Sequence, residues 1–196
     1  MAQLTLFEAP EGVLADDHRG RITYARDFVS AAVAAAWFTE LRDAVSWRAI
    51  RRQMYEREVD VPRLVASYRL DAPVESIPAP ILDAAGQVTQ RIGAPFNTVG
   101  LNRYRDGRDS VAPHNDHLYE LRADFPIALL SLGATRRMTI RAKSAPRRVL
   151  PIDLEAGSLL VMDYATQQHY DHGVPKTRDP VGERISLAFR VRPEAT

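Results

Sequence analysis

The most informative absence in this sequence is that of cysteine, which does not occur once in 196 residues. Without thiols the protein has no disulfide bonds, no zinc–thiolate cluster and no cysteine nucleophile. A metal ion, if one is bound, must therefore be held by histidine, aspartate or glutamate side chains.

A second absence is that of net charge, since 26 Lys and Arg residues stand against 25 Asp and Glu residues. Proteins that bind nucleic acid without specificity usually carry a bulk positive field, so any site for a polyanion must be local here. The sequence also lacks an apolar run of about 18 residues and a signal-peptide pattern at its start, from which we expect a cytoplasmic protein with no membrane contact. Its length favours a single domain over residues 1–196.

Apolar residues at helical spacing predict two amphipathic helices. The first covers residues 27–45, with Asp27 or Ser30 as its N-cap. The second covers residues 81–92, follows several prolines and ends at Gly93.

After residue 93 the sequence changes to short runs of β-forming residues, each bounded by Gly, Pro, Asn or Asp. These runs are TVGLNRY, IALLSLG, RRMTIRA, RRVLPIDL, SLLVMD and RISLAFRVR. Their spacing predicts a sandwich or barrel, so the expected fold class is mainly β with flanking helices (α+β). Residues 51–78, with several prolines and mixed charge, are predicted to form exposed strands and loops that act as a lid. The chain is thus expected to comprise an N-terminal part with helices and lid, residues 1–93, and a β-rich part, residues 94–196.

Four of the five histidines lie in two close pairs, His114 with His117 and His169 with His172. Side chains alternate between the two faces of a strand, so His114 and Asp116 are expected to point to the same side. A distant histidine brought beside them would complete a set of two histidines and one carboxylate, which suits Fe(II) oxygenase chemistry. A polar turn between strands is the alternative, because a His-x-Asp sequence arises readily by chance and recurs later in this chain.

The segment RISLAFR, residues 184–190, alternates apolar residues with Arg184, two small residues and Arg190. The two arginines therefore share one face, with their Cα atoms about 20 Å apart on an extended strand. Bent inward, their guanidinium groups could hold the two ends of a short dicarboxylate; on an edge strand they would be solvated instead. On one face of another predicted strand, Asn102 and Tyr104 offer an amide and a phenol that could complete a carboxylate pocket.

Six short motifs follow one another in the second half of the chain: NRYRDGRDS, HND, SLGATR, GSLLVMDYATQ, HGVP and RISLAFR. In this order and spacing they resemble the AlkB family of Fe(II)- and 2-oxoglutarate-dependent dioxygenases, which demethylate alkylated nucleic acids. The resemblance runs from about Asn97 to Pro193. It implies that the core is a double-stranded β-helix, or jelly roll.

The resemblance also implies the activity. 2-Oxoglutarate would be decarboxylated to succinate and CO2, while O2 hydroxylates the N-alkyl carbon of bases such as 1-methyladenine or 3-methylcytosine in DNA or RNA. The alkyl group would then leave as an aldehyde. The implied partner is alkylated single-stranded or locally opened nucleic acid, and we expect the protein to act as a monomer.

Several site residues follow from the resemblance by position. The implied iron ligands are His114, Asp116 and His172. The implied contacts of 2-oxoglutarate are Asn102, Tyr104 and Arg184 at the far carboxylate, with Ser186 beside them and Arg190 near the carboxylate that chelates iron. Ser186 stands where the family more usually has asparagine, which is expected to change cofactor affinity and not the reaction.

The expected substrate contacts come from less regular segments. Leu118 follows the HND motif where family members that act on 1-methyladenine or 3-methylcytosine often carry acidic residues, and it is expected to form a methyl-rich wall beside the metal ligands. VDVPRLVASYRLD resembles the family's lid, although the hairpin that usually follows is replaced by APVESIPAP. RRQMYER contains a candidate wedge for unstacking bases, and RRMTIRAKSAPRR a candidate basic face. The residues predicted to contact substrate are Met54, Tyr55, Arg63, Tyr68, Leu118 and Arg136.

Two other functions are compatible with the sequence. The first keeps the oxygenase chemistry but applies it to a protein side chain or a small metabolite, as Leu118 and the shortened lid would allow. The second is a metal-binding β-barrel that does not turn over substrate. A protein of this second kind would not need the two arginines that are expected to point inward.

Overall fold

The computed structural model describes residues 12–54 and 57–193, and it describes side chains outside residues 52–60. Within this part of the chain lie three helices: Ala31–Ala44 (α1), Ala79–Ile92 (α2) and Thr166–His169 (α3). The same part contains twelve strands: Val13–Asp17 (β1), Gly20–Ala25 (β2), Arg48–Met54 (β3), Arg57–Arg69 (β4), Thr98–Tyr104 (β5), Val111–His114 (β6), Ile127–Gly133 (β7), Arg136–Ala142 (β8), Val149–Leu154 (β9), Leu159–Met162 (β10), Tyr170–Val174 (β11) and Arg184–Arg190 (β12). Short 3-10 turns occur at Val74–Ser76 and Leu118–Glu120.

The two long helices begin and end where the sequence predicts. The Ser30 hydroxyl caps α1 by accepting a hydrogen bond from the N–H of Val33 at 3.3 Å. Helix α2 begins after Pro78 and ends at Gly93, whose φ of 76° lies in the left-handed region that glycine tolerates best. Both helices pack their buried residues against the larger of two sheets.

The strands form two antiparallel sheets that pack as a sandwich. The larger sheet has the order β1-β2-β10-β7-β12-β5-β4-β3, and the smaller one the order β6-β11-β8-β9. One core lies between the larger sheet and the helices, and a second lies between the sheets. The predicted class, mainly β with flanking helices, is confirmed.

Four strands precede residue 93 in the described part of the chain, and of these β1 and β2 were not predicted from the sequence. β2 pairs with β10, and β4 pairs with β5, so all four belong to the larger sheet. The β3–β4 hairpin falls largely within the segment predicted as a lid, and it extends the sheet beyond β5. The expected division of the chain at residue 93 therefore crosses a continuous sheet.

β12 lies in the middle of the larger sheet, paired on one side with β5 and on the other with β7. Ile185, Leu187 and Phe189 face the helices in the first core. The alternate residues face the space between the sheets, where Arg184 is completely buried. The arginines therefore point into the sandwich, and the alternative of a solvated edge strand is excluded.

Candidate metal centre and cofactor pocket

Two short strands of the smaller sheet bring together the two predicted histidine ligands. His114 ends β6 and stands directly opposite His172 of β11 in the antiparallel register. Their ring centroids are 4.6 Å apart. Neither strand is among the six β-forming runs found in the sequence, because β6 contains Pro113 and β11 contains Gly173, residues that are uncommon in strands.

Asp116 lies in the loop after β6 and not on an extended strand, but its carboxylate still reaches both imidazoles. One potential ligand atom from each of His114, Asp116 and His172 lies within 4.8 Å of the other two. Two histidines and one carboxylate on one side of a metal form the set typical of non-haem Fe(II) oxygenases, and they leave coordination positions open.

Both histidines have a nitrogen lone pair available for a cation. The Nδ1 atom of His114 lies 3.0 Å from the carbonyl oxygen of Ala112. Since a carbonyl oxygen only accepts, Nδ1 carries the proton and Nε2 is left to bind metal. Burial, with a smaller contribution from His114, lowers the pKa of His172 to about 4, so this imidazole is neutral at physiological pH.

The third ligand, Asp116, is held in its charged form. Burial alone would raise the pKa of this carboxyl group, but Arg190 and the two histidines hold it below its usual value. The Nε of Arg190 donates to Asp116 Oδ2 at 2.6 Å. An ionised carboxylate and neutral imidazoles are the states that coordinate a metal ion.

A cavity of about 60 Å³ lies between the sheets beside the two histidines. All five residues expected to bind 2-oxoglutarate line it: Asn102, Tyr104, Arg184, Ser186 and Arg190. A single water needs about 10–15 Å³ by a comparable measure, so the space admits a small molecule. Apolar side chains, among them Leu129 and Met138, form the rest of its wall.

Arg184 is a completely buried charged residue in the wall of this cavity. Its Nη2 donates to Ser131 Oγ at 2.9 Å, and its guanidinium lies 5.1 Å from the centre of the Tyr104 ring. Its Nε and Nη1 atoms find no hydrogen-bond partner among the described residues. Burial lowers the pKa of this guanidinium, yet arginine stays charged in proteins. A buried cation with two unused donor atoms fits a bound anion such as a carboxylate, so the residues present suit 2-oxoglutarate.

Arg63 connects this cavity to a larger cleft. Its Nε donates to the side-chain oxygen of Asn102 at 2.7 Å, so the amide nitrogen of Asn102 is the end left to donate. Arg63 lines the cavity and the cleft alike. Of the predicted substrate contacts whose side chains are described, Arg63 lines the cleft.

The cleft, with a volume of about 1080 Å³, opens at His114 and Asp116. The β3–β4 hairpin forms one side of it. Its charged lining residues are the cations Arg48, Arg63, Arg141, Lys176, Arg190 and Arg192, against the carboxylates of Asp116 and Glu120. Among the described residues, cationic side chains therefore outnumber carboxylates beside the metal ligands.

Arg136 was predicted to contact substrate, but its side chain is buried inside the protein. It is only 2% exposed, because residues alternate along β8 and Arg136 falls on the inner face. Its guanidinium donates to the carbonyl oxygens of Asp106, Asp109 and Pro175, so it binds loops of the protein and not a substrate. The exposed arginines of the same strand, Arg137 and Arg141, pair with Asp153 and Asp171.

Two further predicted contacts lie away from the cleft. Tyr68 packs against the core on the helix side of the larger sheet, while its neighbours Val65 and Ser67 line the cleft. Leu118 is not among the described residues that line the cleft, and Glu120 lies there instead. The expected methyl-rich wall is thus replaced by a carboxylate. Tyr55 and the side chain of Met54 lie outside the part of the chain that the structure describes.

The chain matches the 2OG-Fe(II) oxygenase superfamily over residues 21–190. The DNA oxidative demethylase ALKBH2 of Bos taurus is 32% identical over 173 residues, which cover 78% of this chain and 62% of that protein. The ALKBH2 of Homo sapiens is 39% identical over 105 residues, 50% of this chain and 40% of that protein. The alpha-ketoglutarate-dependent dioxygenase alkB homolog 3 of Rattus norvegicus is 37% identical over 112 residues, 53% of this chain and 38% of that protein. The matched region thus spans between about two fifths and three fifths of these relatives.

A prolyl-4-hydroxylase of Pseudomonas putida has a similar fold, with a TM-score of 0.54 at 18% sequence identity. The superposition covers 88% of this chain and 93% of the hydroxylase. This likeness of fold supports the predicted jelly-roll core. The match over residues 21–190 and the curated relatives show that the chain belongs to the 2OG-Fe(II) oxygenase superfamily and, within it, to the AlkB family, and the His114, Asp116 and His172 set agrees with this.

Proposed function

We propose that this protein is an Fe(II)- and 2-oxoglutarate-dependent dioxygenase that removes alkyl groups from bases such as 1-methyladenine and 3-methylcytosine in nucleic acid. One observation carries the proposal. The two-histidine, one-carboxylate set adjoins both a buried cavity with an unsatisfied guanidinium and an open cationic cleft. Metal, cofactor and polyanionic substrate each have a place within reach of the same three side chains.

His114, Asp116 and His172 would hold Fe(II), while Arg184 with Asn102 and Tyr104 would hold the far carboxylate of 2-oxoglutarate. When bound with O2, these groups supply an oxidation in which one oxygen atom enters succinate and the other enters the alkyl carbon, with release of CO2. The hydroxylated carbon then leaves as an aldehyde when its bond to the base nitrogen breaks.

The protein itself contributes charge, orientation and exclusion of water. Arg190 keeps Asp116 ionised and oriented through the 2.6 Å hydrogen bond. The apolar walls of the cavity and the burial of Arg184 keep bulk water from the bound carboxylate, which strengthens the ion pair there. Hydrogen abstraction from an alkyl carbon needs no general base, so the residues around the metal position need only hold and orient the reacting groups.

The cleft favours a polyanion, since six cationic residues and two carboxylates line it among the described residues. Nucleic acid is the polyanion named in the relatives called DNA oxidative demethylase. An enzyme that acts on a base must reach it in a single strand or extrude it from a duplex, and an open cleft accepts a base in either way. Within the described residues, no helix has both the length and the apolar character needed to cross a bilayer. The monomeric state and the cytoplasmic location stay predictions.

The proposal is tested by mass spectrometry of a single-stranded DNA that contains 3-methylcytosine, incubated with protein, Fe(II), 2-oxoglutarate and ascorbate. We expect loss of the methyl group with the intact protein and none with Asp116→Ala. Succinate formation without demethylation would contradict the substrate and move the search to a protein side chain or a small metabolite. Absence of succinate with every substrate would favour a metal-binding module without turnover.

A further inference from the structure

The loop that carries Asp116 is held at its main chain as well as at its carboxylate. The N–H of Asp116 donates to the side-chain oxygen of Gln167 at 3.0 Å. Gln167 lies in α3 and is only 1% exposed. The sequence analysis did not single it out, although it ends the motif GSLLVMDYATQ.

Both ends of the Gln167 amide are used. Its nitrogen donates to Thr166 Oγ1 at 3.2 Å, and that hydroxyl donates to the carbonyl oxygen of Asp163 at 2.6 Å. An exchange of the amide oxygen and nitrogen would set two donors against each other at the N–H of Asp116. The orientation of the side chain is therefore fixed by its partners.

A lysine ties the preceding loop residue to the same helix. The Nζ of Lys143 donates to the side-chain oxygen of Asn115 at 2.8 Å and to the main-chain oxygen of Gln167 at 2.9 Å. Asn115 and Asp116 are thus both connected to α3, one through Lys143 and one directly.

Helix α3 leads straight into β11, which carries His172. On its other side α3 packs against Gly20, where an added Cβ would lie 2.8 Å from Thr166 Cγ2. This close contact leaves the helix little room to move away from the loop. Gln167 therefore links the carboxylate ligand to the segment that carries an imidazole ligand, in addition to the register that pairs the histidines.

We propose that Gln167 is a positioning residue, which fixes the main chain of Asp116 so that the metal ligands are in place before a metal binds. The proposal rests on the proposed function in taking His114, Asp116 and His172 as the metal site. When the ligands are already in place, the protein loses less conformational entropy on binding a cation. Loss of an outer contact to a metal ligand typically weakens metal binding about 10- to 100-fold, and we expect a loss in this range.

The first test is a titration of the metal-free protein with Co(II), followed by visible absorption. Gln167→Leu removes the acceptor, and Gln168→Leu changes the exposed neighbouring glutamine of the same helix as a matched control. We expect Gln167→Leu to bind Co(II) at least about tenfold more weakly than the wild type, and Gln168→Leu to bind it as the wild type does. Equal affinity of Gln167→Leu and wild type would overturn the inference and leave the proposed function standing.

The second test needs no metal. In the metal-free protein we expect the amide hydrogen of Asp116 to exchange with solvent faster in Gln167→Leu than in the wild type, measured by NMR, with no change in Gln168→Leu. Unaltered protection in Gln167→Leu would overturn the inference. If the wild type does not bind Co(II), the proposed function fails, and this exchange result still decides whether Gln167 holds the loop. Should Gln167→Leu not fold, Gln167→Met, which preserves the length of the side chain, replaces it in both measurements.

Discussion

Arg184 illustrates, at the scale of one residue, how the fold is prepared for an anion. Its side chain is completely buried, and two of its donor atoms have no partner among the described residues. A buried charge without a counter-ion destabilises a protein by several kcal/mol. A bound carboxylate would therefore compensate the burial of the Arg184 guanidinium.

Replacement of Arg184 by lysine tests this assignment. Lysine keeps the positive charge but loses the planar fork that binds a carboxylate through two hydrogen bonds. We expect the KM for 2-oxoglutarate to rise about tenfold or more in Arg184→Lys, because a hydrogen bond to a charged group is worth about 1.5–3 kcal/mol. Succinate production as a function of 2-oxoglutarate concentration measures it. Arg137→Lys, an exposed arginine of β8, is the matched control, and an unchanged KM in Arg184→Lys would contradict the assignment.

The residue that follows the metal ligands shows where sequence reasoning fails at this scale. Leu118 was placed beside Asp116 by the alternation of a strand, but β6 ends at His114 and a 3-10 turn occupies Leu118–Glu120. The turn changes which side chains face the cleft, and Glu120 lies in its wall, paired with Arg192 at 2.9 Å. The end of a short strand is set by pairing with a distant segment, which a local pattern does not reveal.

A carboxylate in this position has a consequence for substrate choice, given the proposed function. 1-Methyladenine and 3-methylcytosine carry a positive charge, which a nearby carboxylate stabilises. We expect Glu120→Gln to lower kcat/KM for DNA containing 3-methylcytosine about threefold to fivefold, in line with up to about 1 kcal/mol for a partly exposed pair. Activity on a neutral alkylated base should change less. Leu118→Ala is the control, and an equal loss in both variants would contradict a role for the charge of Glu120.

At the scale of elements, the sequence predicted the helices better than the strands of the site. Helix ends depend on nearby residues such as Ser30 and Gly93, so a local reading finds them. β6 and β11 are short, contain Pro113 or Gly173, and exist because β11 pairs with β6 on one side and with β8 on the other. β1 and β2 were missed for the same reason, since β2 joins the sheet through β10, which follows far along the chain.

Two glycines, Gly86 within α2 and Gly93 just after its end, give predictions of opposite sign for the free energy of unfolding. Gly93 has a φ of 76° and Gly86 lies exposed inside the helix, and an added Cβ would meet nothing within 4 Å at either position. Gly93→Ala is expected to lower the free energy of unfolding by about 1 kcal/mol or more, because the left-handed region is strained for alanine. Gly86→Ala is expected to raise it by about 0.5–1 kcal/mol. Urea denaturation of both variants measures the two effects, and changes of the same sign would contradict this account.

At the scale of the whole molecule, two separate cavities adjoin the same metal ligands. The cofactor cavity lies between the sheets, and the cationic cleft opens beside it. The residues that line the cleft come from segments as far apart in the sequence as Arg48 and Arg192. The balanced composition predicted that a polyanion site would be local, but it did not predict which of the 26 Lys and Arg residues form it. Many of these residues are neutralised by acidic neighbours, such as Arg103 by Glu183 and, within the cleft, Arg192 by Glu120. Such pairing depends on the tertiary fold, so only the folded chain distinguishes a binding cation from a structural one.

Because metal and cofactor bind between elements that are distant in sequence, their binding is expected to stabilise the whole fold. A ligand at about 100 times its Kd adds about 2.7 kcal/mol to the free energy of unfolding. For a chain of this size, 1 kcal/mol corresponds to about 2–4 °C in Tm. We therefore expect Mn(II), as a redox-stable substitute for Fe(II), to raise the Tm of the wild type by about 5–10 °C, with a further rise on addition of 2-oxoglutarate. Thermal denaturation should show no Mn(II) effect in Asp116→Ala, whereas Arg184→Lys should keep the rise with Mn(II) and lose most of the increment from 2-oxoglutarate. If Mn(II) raised the Tm of Asp116→Ala as much as that of the wild type, the metal would bind elsewhere.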